Sequence, residues 1–146
     1  MKLVEEPKKR VLDEELERTA VEFHGHGGPF MTVGLRMGLY ALERLDCRGW
    51  FDLSCEVTLR WRPPDSCVID GIQSSTGCTM GKHNIEVVEG EGVSAAFASE
   101  DRSVTLTLRE EVLDLIKSGL EAEEAAHDLM VWLKDAAAEE LFEVRG

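Results

Sequence analysis

Residues 54–62 alternate strictly between apolar and polar side chains, and this pattern constrains the fold more than any other feature of the chain. A strand with a period of two buries one face and leaves the other face polar. The apolar positions are Cys55, Val57, Leu59 and Trp61. Pro63 and Pro64 follow, and proline ends a strand because it cannot donate to the ladder of a sheet. The chain is therefore predicted to contain a sheet with one buried face.

Apolar residues at helical spacing predict the helices. They indicate helices over about 13–23, 29–45 and 66–76, and a helical tail over about 110–143 whose last helix spans about 120–142. Gly34 and Gly38 lie four residues apart in the second helix. Glycine is unfavourable inside a helix, so this pair predicts that another backbone comes close there. A tight contact between this helix and the sheet is favoured over the approach of a ligand.

Short apolar runs predict three further strands, over residues 85–88, 93–97 and 104–108. The turn at residues 89–92 joins the first two of them as a hairpin. Clustered strands with tight turns indicate an antiparallel sheet. The order of elements therefore predicts a single α+β domain over residues 1–146, with a mostly antiparallel sheet covered by helices and a core at about 13–110.

The composition fits this class and argues against two kinds of partner. The 146 residues include 16 basic and 29 acidic side chains. The net charge of −13 disfavours binding to nucleic acid or to an anionic membrane. No apolar run approaches the roughly 20 residues that cross a bilayer, and the first residues lack the apolar segment of a signal peptide. We therefore expect a cytoplasmic protein whose four cysteines are thiols or ligands rather than disulfides.

The segment F-H-G-H-G-G-P-F, residues 23–30, carries the first candidate ligands. His24 and His26 are two residues apart, so in an extended segment both imidazoles point to one side. The glycines leave room above them. Pro29 starts the next helix, whose N-terminus favours thiolate or anionic ligands nearby. The alternative is that the glycines only form a tight turn, which the histidines cap.

The helix over about 66–76 carries a second set of polar residues. Cys67, Asp70 and Ser74 share one of its faces at helical spacing. The helix start is expected to lower the pKa of the Cys67 thiol. Asp70 could accept the second ring N–H of a metal-bound histidine. The alternative is that Cys67 is a small buried residue and that Asp70 caps a helix or forms an ion pair.

The turn at residues 76–84 follows, with Cys78 between two glycines and with Lys82 and His83 a few residues on. A nearby cation would stabilise a Cys78 thiolate. This turn could supply a metal ligand, a nucleophile or an anion-binding loop. Cys55 lies on the alternating strand and is expected to be a core residue.

Together, these segments resemble the family of the formylmethanofuran dehydrogenase E subunit. That family has F-H-G-H-x-C-P-G near its N-terminus and a middle segment close to C-x-V-D-A-I-Q-x-x-T-G-C-T-x-G-K-G-N. The first segment matches at Phe23, His24, Gly25, His26 and Pro29. The middle segment matches at Cys67, Asp70, Ile72, Gln73, Thr76, Gly77, Cys78, Thr79, Gly81, Lys82 and Asn84. The resemblance implies an α+β fold, a homodimer, one bound divalent metal and an association with a molybdenum or tungsten enzyme of methanogenesis.

Three departures from the family pattern affect the expected site. The family cysteine of the first segment falls on Gly28, and the glycine after it falls on Phe30. The G-K-G-N of the family is G-K-H-N here, so His83 could replace the lost thiolate. In addition to these three changes, the zinc-ribbon tail of some relatives is absent, since residues 110–146 contain no cysteine.

The sequence therefore predicts one mononuclear metal site with zinc as the expected ion, since zinc prefers mixed nitrogen and sulfur ligands; iron and nickel stay open. His26 and Cys67 are the first expected ligands, with His24, Cys78 and His83 as further candidates. Asp70, Gln73 and Lys82 are expected to bind a cofactor or support the ligands.

Three functions are compatible with this site. The first is a metal-binding or cofactor-binding accessory protein of a larger molybdenum or tungsten enzyme. The second is a small metal-dependent enzyme with an open coordination position. The third is a metal-free small-molecule-binding relative that lost the site with the change to Gly28.

Overall fold

The computed structural model of the chain describes residues 10–121 and 123–146. Residues 1–9, which the single-domain prediction includes, lie outside the described part. In chain order, the elements are α1 (Glu14–His24), α2 (Pro29–Arg44), β1 (Ser54–Leu59), α3 (Cys67–Thr76), β2 (Ile85–Glu89), β3 (Val93–Ala98), β4 (Ser103–Leu108), α4 (Glu110–Glu121), α5 (Glu123–Asp135), α6 (Ala138–Leu141) and β5 (Phe142–Arg145). The three predicted N-terminal helices agree with α1, α2 and α3 to within one residue at each end.

The five strands form one sheet in the order β2-β1-β3-β4-β5. Only β1 and β2 pair in parallel, and the other three pairings are antiparallel. The α+β fold with a mostly antiparallel sheet is therefore confirmed. The buried residues of β1, β3 and β4 alternate with exposed ones, so the helices pack against one face of the sheet. None of the helices in the described residues is both long and apolar enough to cross a membrane.

The predicted hairpin of residues 85–97 is wrong, because β1 lies between β2 and β3. Helix α3 connects β1 to β2 and supplies the crossover that a parallel pair requires. The turn after β2 then passes over the end of β1, where the N–H of Gly90 donates to the carbonyl of Leu59 at 2.9 Å. The alternating apolar residues of β1 suit a strand that has a partner on each side. The turn residues after β2 alone could not indicate that β1 lies between β2 and β3.

The predicted helical tail, with a last helix at about 120–142, is also wrong in its last part. The chain forms α5 and the short α6 and then enters β5, which pairs with β4 through Leu106 and Val144. Arg36 stabilises the end of α5 by donating to the carbonyls of Leu133 and Ala136, each at 2.6 Å. The four residues of β5 are too few for a periodic signal, and the free edge of β4 decides their conformation.

The glycine pair of α2 lies against α3. A Cβ atom added at Gly34 would lie 2.1 Å from the carbonyl oxygen of Val68, and one added at Gly71 would lie 2.1 Å from that of Met31. The predicted close approach of a second backbone is confirmed, although the partner is a helix rather than the sheet. This contact fixes α3 against α2 and brings the start of α3 to the loop that precedes Pro29.

Candidate metal centre

Three elements meet at one end of the helical layer and bring three donor residues together. His24 is the last residue of α1, and Gly25 ends this helix in the left-handed conformation at φ 100°. His26 lies in the short loop before α2. Cys67 is the first residue of α3. Residues that are more than 40 positions apart in the sequence therefore converge.

The donor atoms of His24, His26 and Cys67 all lie within 4.8 Å of one another. An ion with bonds of about 2.0–2.3 Å in tetrahedral geometry holds its ligand atoms about 3.5 Å apart. Small side-chain rotations therefore suffice to bring the three donors onto one ion. Two nitrogens and one sulfur form a donor set that suits zinc and neighbouring transition metals.

His24 is held in place by Asp70. Its Nδ1 lies 2.5 Å from Oδ2 of Asp70, and the histidine side chain is only 9% exposed. With Nδ1–H donating to the carboxylate, Nε2 keeps its lone pair. Nε2 is buried and has no hydrogen-bond partner among the described residues. A buried nitrogen without a partner is costly, and a metal ion is one group that would satisfy it.

His26 is exposed and contributes the open side of the cluster. Its Nδ1 lies 3.2 Å from the carbonyl oxygen of Gly27, which leaves Nε2 as the second ring nitrogen. The two imidazole centroids are 4.6 Å apart with the planes tilted by 46°, so the rings do not stack.

The missing family cysteine would belong to this cluster. A Cβ atom at Gly28 would lie 3.2 Å from Cε1 and 3.4 Å from Nδ1 of His26. The φ of Gly28 is −159°, which is extended backbone that any residue adopts. This position therefore lies beside the donors, and glycine leaves it open.

The surroundings of Cys67 favour its protonated thiol. Burial raises the pKa of Cys67, and the nearby carboxylates of Asp70 and Asp65 raise it further. The expectation that the helix start lowers this pKa is therefore wrong, because burial and the two nearby carboxylates disfavour the thiolate. A thiolate at this position would need a cation, and a bound metal displaces the thiol proton for this reason.

Cys78 lies outside this cluster of three donors. Its side chain is fully buried, with Sγ 3.3 Å from the carbonyl oxygen of Leu53. A hydrogen bond from the thiol of Cys55 lowers the pKa of Cys78 to about 7 despite the opposing effect of burial, and Thr76 and Lys82 lower it further. The same hydrogen bond and burial raise the pKa of Cys55. Cys55 is a core residue, as predicted.

His83 and Lys82 also lie outside the cluster. His83 is exposed and takes a left-handed conformation with φ 63°. The Nζ atom of Lys82 donates to Oγ1 of Thr79 at 3.1 Å and lies 5.5 Å from the ring centroid of Phe51. Asn84 fixes the same turn by accepting from the N–H of Thr79 and donating to the carbonyl of Trp50. Several residues of the segment 76–84 therefore stabilise its turn.

A groove of about 260 Å³ adjoins the donor cluster and shares Cys67 with it, and Asp70, the hydrogen-bond partner of His24, also lines the groove. Gln73, one of the expected cofactor-binding residues, lines it. Trp61 and Met80 also line it, and sequence reasoning missed both. The alternating pattern places Trp61 on a buried strand face, but β1 ends at Leu59 and the indole is 55% exposed. The Pro63-Pro64 pair is the available signal, because it shows that the strand is ending there.

Comparisons with known proteins identify the family of this chain and one relative in Archaeoglobus fulgidus. A family model described as "FmdE, Molybdenum formylmethanofuran dehydrogenase operon" matches residues 23–144. A protein of Archaeoglobus fulgidus named a probable S-adenosyl-L-methionine-binding protein is 39% identical over 67 residues. That match covers 45% of this chain, and the chain spans only 18% of the relative's length.

A solved structure has a similar fold. It is the crystal structure of a tungsten formylmethanofuran dehydrogenase FmdE-like protein from Syntrophus aciditrophicus, with a TM-score of 0.64. The alignment covers 90% of this chain and 70% of that chain at 19% identity. At this identity, the likeness shows the shared fold alone.

Proposed function

Because this chain belongs to the FmdE family, we propose that it binds one divalent metal ion through His24, His26 and Cys67 and serves a molybdenum or tungsten redox enzyme as an accessory or cofactor-binding protein. One observation carries the metal proposal. The three donor atoms converge within 4.8 Å, and the Nε2 atom of His24 is buried, oriented by Asp70 and without a hydrogen-bond partner in the described part of the chain.

Zinc is the proposed ion, since its usual ligands are imidazole nitrogen and thiolate sulfur. Three protein ligands leave one position for water or a small molecule, and a metal with such a position supplies Lewis acidity. Asp70 and Cys67 have specific roles in binding such an ion. Asp70 holds the Nδ1 proton of His24, and Cys67 gives up its thiol proton when the ion binds.

The decisive experiment is elemental analysis of the purified, untagged protein after dialysis. We expect near-stoichiometric metal in the wild type and loss of metal in His26→Ala and Cys67→Ala. His83→Ala is the matched control, because this exposed histidine lies in the motif but outside the donor cluster. A wild type without metal after reconstitution would contradict the proposal. Metal loss in the control would show that the ligand set is different.

The accessory role rests on the family, whose description names the operon of molybdenum formylmethanofuran dehydrogenase. We expect the protein to copurify with a larger redox enzyme when it is isolated at native levels under mild conditions. Isolation as a solitary oligomer under those conditions would contradict this role. The homodimer implied by the family resemblance is also proposed, and light scattering after gel filtration measures it.

A cytoplasmic location is proposed as well. All four cysteines are free thiols, although two of them, Cys55 and Cys78, are hydrogen-bonded to each other. Thiols that stay unpaired are typical of a reducing compartment.

A second candidate function is the binding or conversion of a small molecule in its own right. The groove beside Cys67 favours it, as does the name of the Archaeoglobus fulgidus relative. Calorimetric titration of S-adenosyl-L-methionine into the metal-loaded and the metal-free protein tests this candidate. Saturable binding to the metal-free protein would favour the small-molecule function over the metal-binding one.

A further inference from the structure

The groove next to Cys67 has two exposed apolar side chains that face it from different elements. Trp61 follows β1 and is 55% exposed, and Met80 follows α3 and is 51% exposed. An indole and a thioether that line one groove suit an aromatic ring. The ring can stack on the indole and make a favourable contact with the sulfur.

The side chains of Gln73 and Ser66 offer hydrogen-bonding groups to a ligand in the same groove. Oε1 of Gln73 accepts a hydrogen bond from the N–H of Met80 at 3.2 Å, which sets the orientation of the amide. Its Nε2 has no partner among the residues that the structure describes, so it is free to donate. Ser66 lies at the N-cap of α3, but its side chain makes no capping hydrogen bond.

An anionic group on the ligand would find its positive partner at the proposed metal, since the charged side chain that lines the groove, among the described residues, is that of Asp70. Arg60 and Arg62 are exposed neighbours of Trp61 in the sequence, but neither of them lines the groove. A divalent ion held by two neutral imidazoles and one thiolate would keep a charge of about +1, which would attract the oxygen group of the ligand. The start of α3 cannot take the anion itself, because the N–H groups of residues 66–69 already donate to backbone carbonyls.

The size of the groove limits the ligand. Its volume of about 260 Å³ is below the roughly 300–1,000 Å³ that is usual for drug-sized ligands. One ring, or two fused rings, fits within it better than a whole nucleotide does.

We propose that this groove binds a small aromatic compound with an anionic oxygen group. The ring lies between Trp61 and Met80, and the anionic group points to the metal held by His24, His26 and Cys67. This inference rests on the proposed metal site. No covalent bond is made or broken in the binding step, and the anionic group would take the metal's open position in place of water.

Cobalt(II) provides the test, because its visible absorption reports both thiolate ligation and any change in the other ligands. The cobalt-loaded protein is titrated with benzoate and with cyclohexanecarboxylate, which has a ring of similar size but no aromatic face. We expect benzoate to bind about three- to tenfold more tightly. Trp61→Leu is expected to remove this preference, whereas Phe51→Leu, which changes an 87% exposed aromatic outside the groove, is expected to keep it.

The outcomes separate the two proposals. Absence of the thiolate-to-cobalt charge-transfer band in the wild type would overturn the metal site, and this inference with it. A normal cobalt spectrum with no preference for benzoate, or a preference that survives Trp61→Leu, would overturn only the groove assignment. Benzoate binding of equal strength without cobalt, followed by tryptophan fluorescence, would overturn the placement of the anionic group at the metal.

Discussion

Asp70 accepts a hydrogen bond from Nδ1 of His24 across 46 residues of sequence, with 2.5 Å between the two atoms. This contact joins α3 to the end of α1 and selects the tautomer that leaves the lone pair of the buried Nε2 available for a ligand. It gives the candidate site a carboxylate that orients a ligand, which is a common arrangement around metal-bound histidines.

The first prediction concerns this carboxylate. Asp70→Asn is expected to weaken metal binding about 10- to 100-fold, because the histidine loses its charged partner. Competition with a chelator of known affinity measures the change. Asp65→Asn is the matched control, since Asp65 also places negative charge near Cys67 but forms its ion pair with Lys117. Equal weakening in both variants would contradict a role of Asp70 in orienting His24.

The second prediction restores the family cysteine. Gly28→Cys is expected to add a fourth ligand and to tighten metal binding by at least about tenfold, since four ligands complete a closed tetrahedral site. The backbone of Gly28 accepts a side chain, and the exposed ring of His26 can shift by the few tenths of an ångström required.

The control for this variant is Gly27→Cys, in which the added Cβ atom would face Val21 at 3.6 Å instead of His26. A cobalt(II) spectrum reports whether a second thiolate binds. If both variants bind metal with the same affinity, the position of Gly28 is not part of the site.

The third prediction concerns the contact between α2 and α3. Gly34→Ala is expected to lower the free energy of unfolding by about 1–3 kcal/mol or more, because its Cβ atom would overlap the carbonyl oxygen of Val68. Metal binding should weaken as well, because the same contact positions Cys67.

Urea denaturation measures this loss of stability. Gly81→Ala is the control, since the nearest atom to its added Cβ is 4.0 Å away and no positive φ opposes the change. This variant is expected to be neutral or to stabilise by up to about 1 kcal/mol. A Gly34→Ala protein as stable as wild type would contradict the helix contact.

The fourth prediction uses the Cys55 and Cys78 pair. The pKa of Cys78 falls from an ordinary value of 9.0 to about 7 in the fold. The folded state then holds fewer protons than the unfolded state between pH 7 and 9. This contribution to stability therefore grows as the pH rises through that window, is complete above pH 9 and is lost below pH 7. The raised pKa of Cys55 acts in the opposite direction above pH 9.

Denaturation of the metal-free protein at several pH values from 6 to 9 tests whether its stability rises with pH as predicted. Cys55→Ala is expected to reduce the increase of the unfolding free energy with pH, because Cys78 loses the thiol that donates a hydrogen bond to it. The comparison uses the slope with pH, since the cavity left by the substitution lowers stability at every pH. An unchanged slope in this variant would show that the hydrogen bond from Cys55 does not set the charge of Cys78.

Much of the site can be anticipated from local chemistry. His24, His26, Cys67 and Asp70 stand out because soft ligands, glycines and a helix start occur together in two short segments. Their separate roles cannot be assigned in this way, since those roles depend on side-chain direction. Cys78 carries the same thiol as Cys67, but it points into the core and pairs with Cys55. The turn that holds His83 leaves its imidazole exposed and outside the donor cluster.

The sequence by itself determined the α+β class, the bounds of α1, α2 and α3 and the residue types of the site, because periodicity, proline and glycine act over a few neighbouring residues. The tertiary structure decided the position of β1 between β2 and β3, the formation of β5 and the meeting of α1 with α3. These depend on contacts between residues that are distant in sequence. The packing of Gly34 against α3 is one such contact, and it decides which of the candidate donors converge.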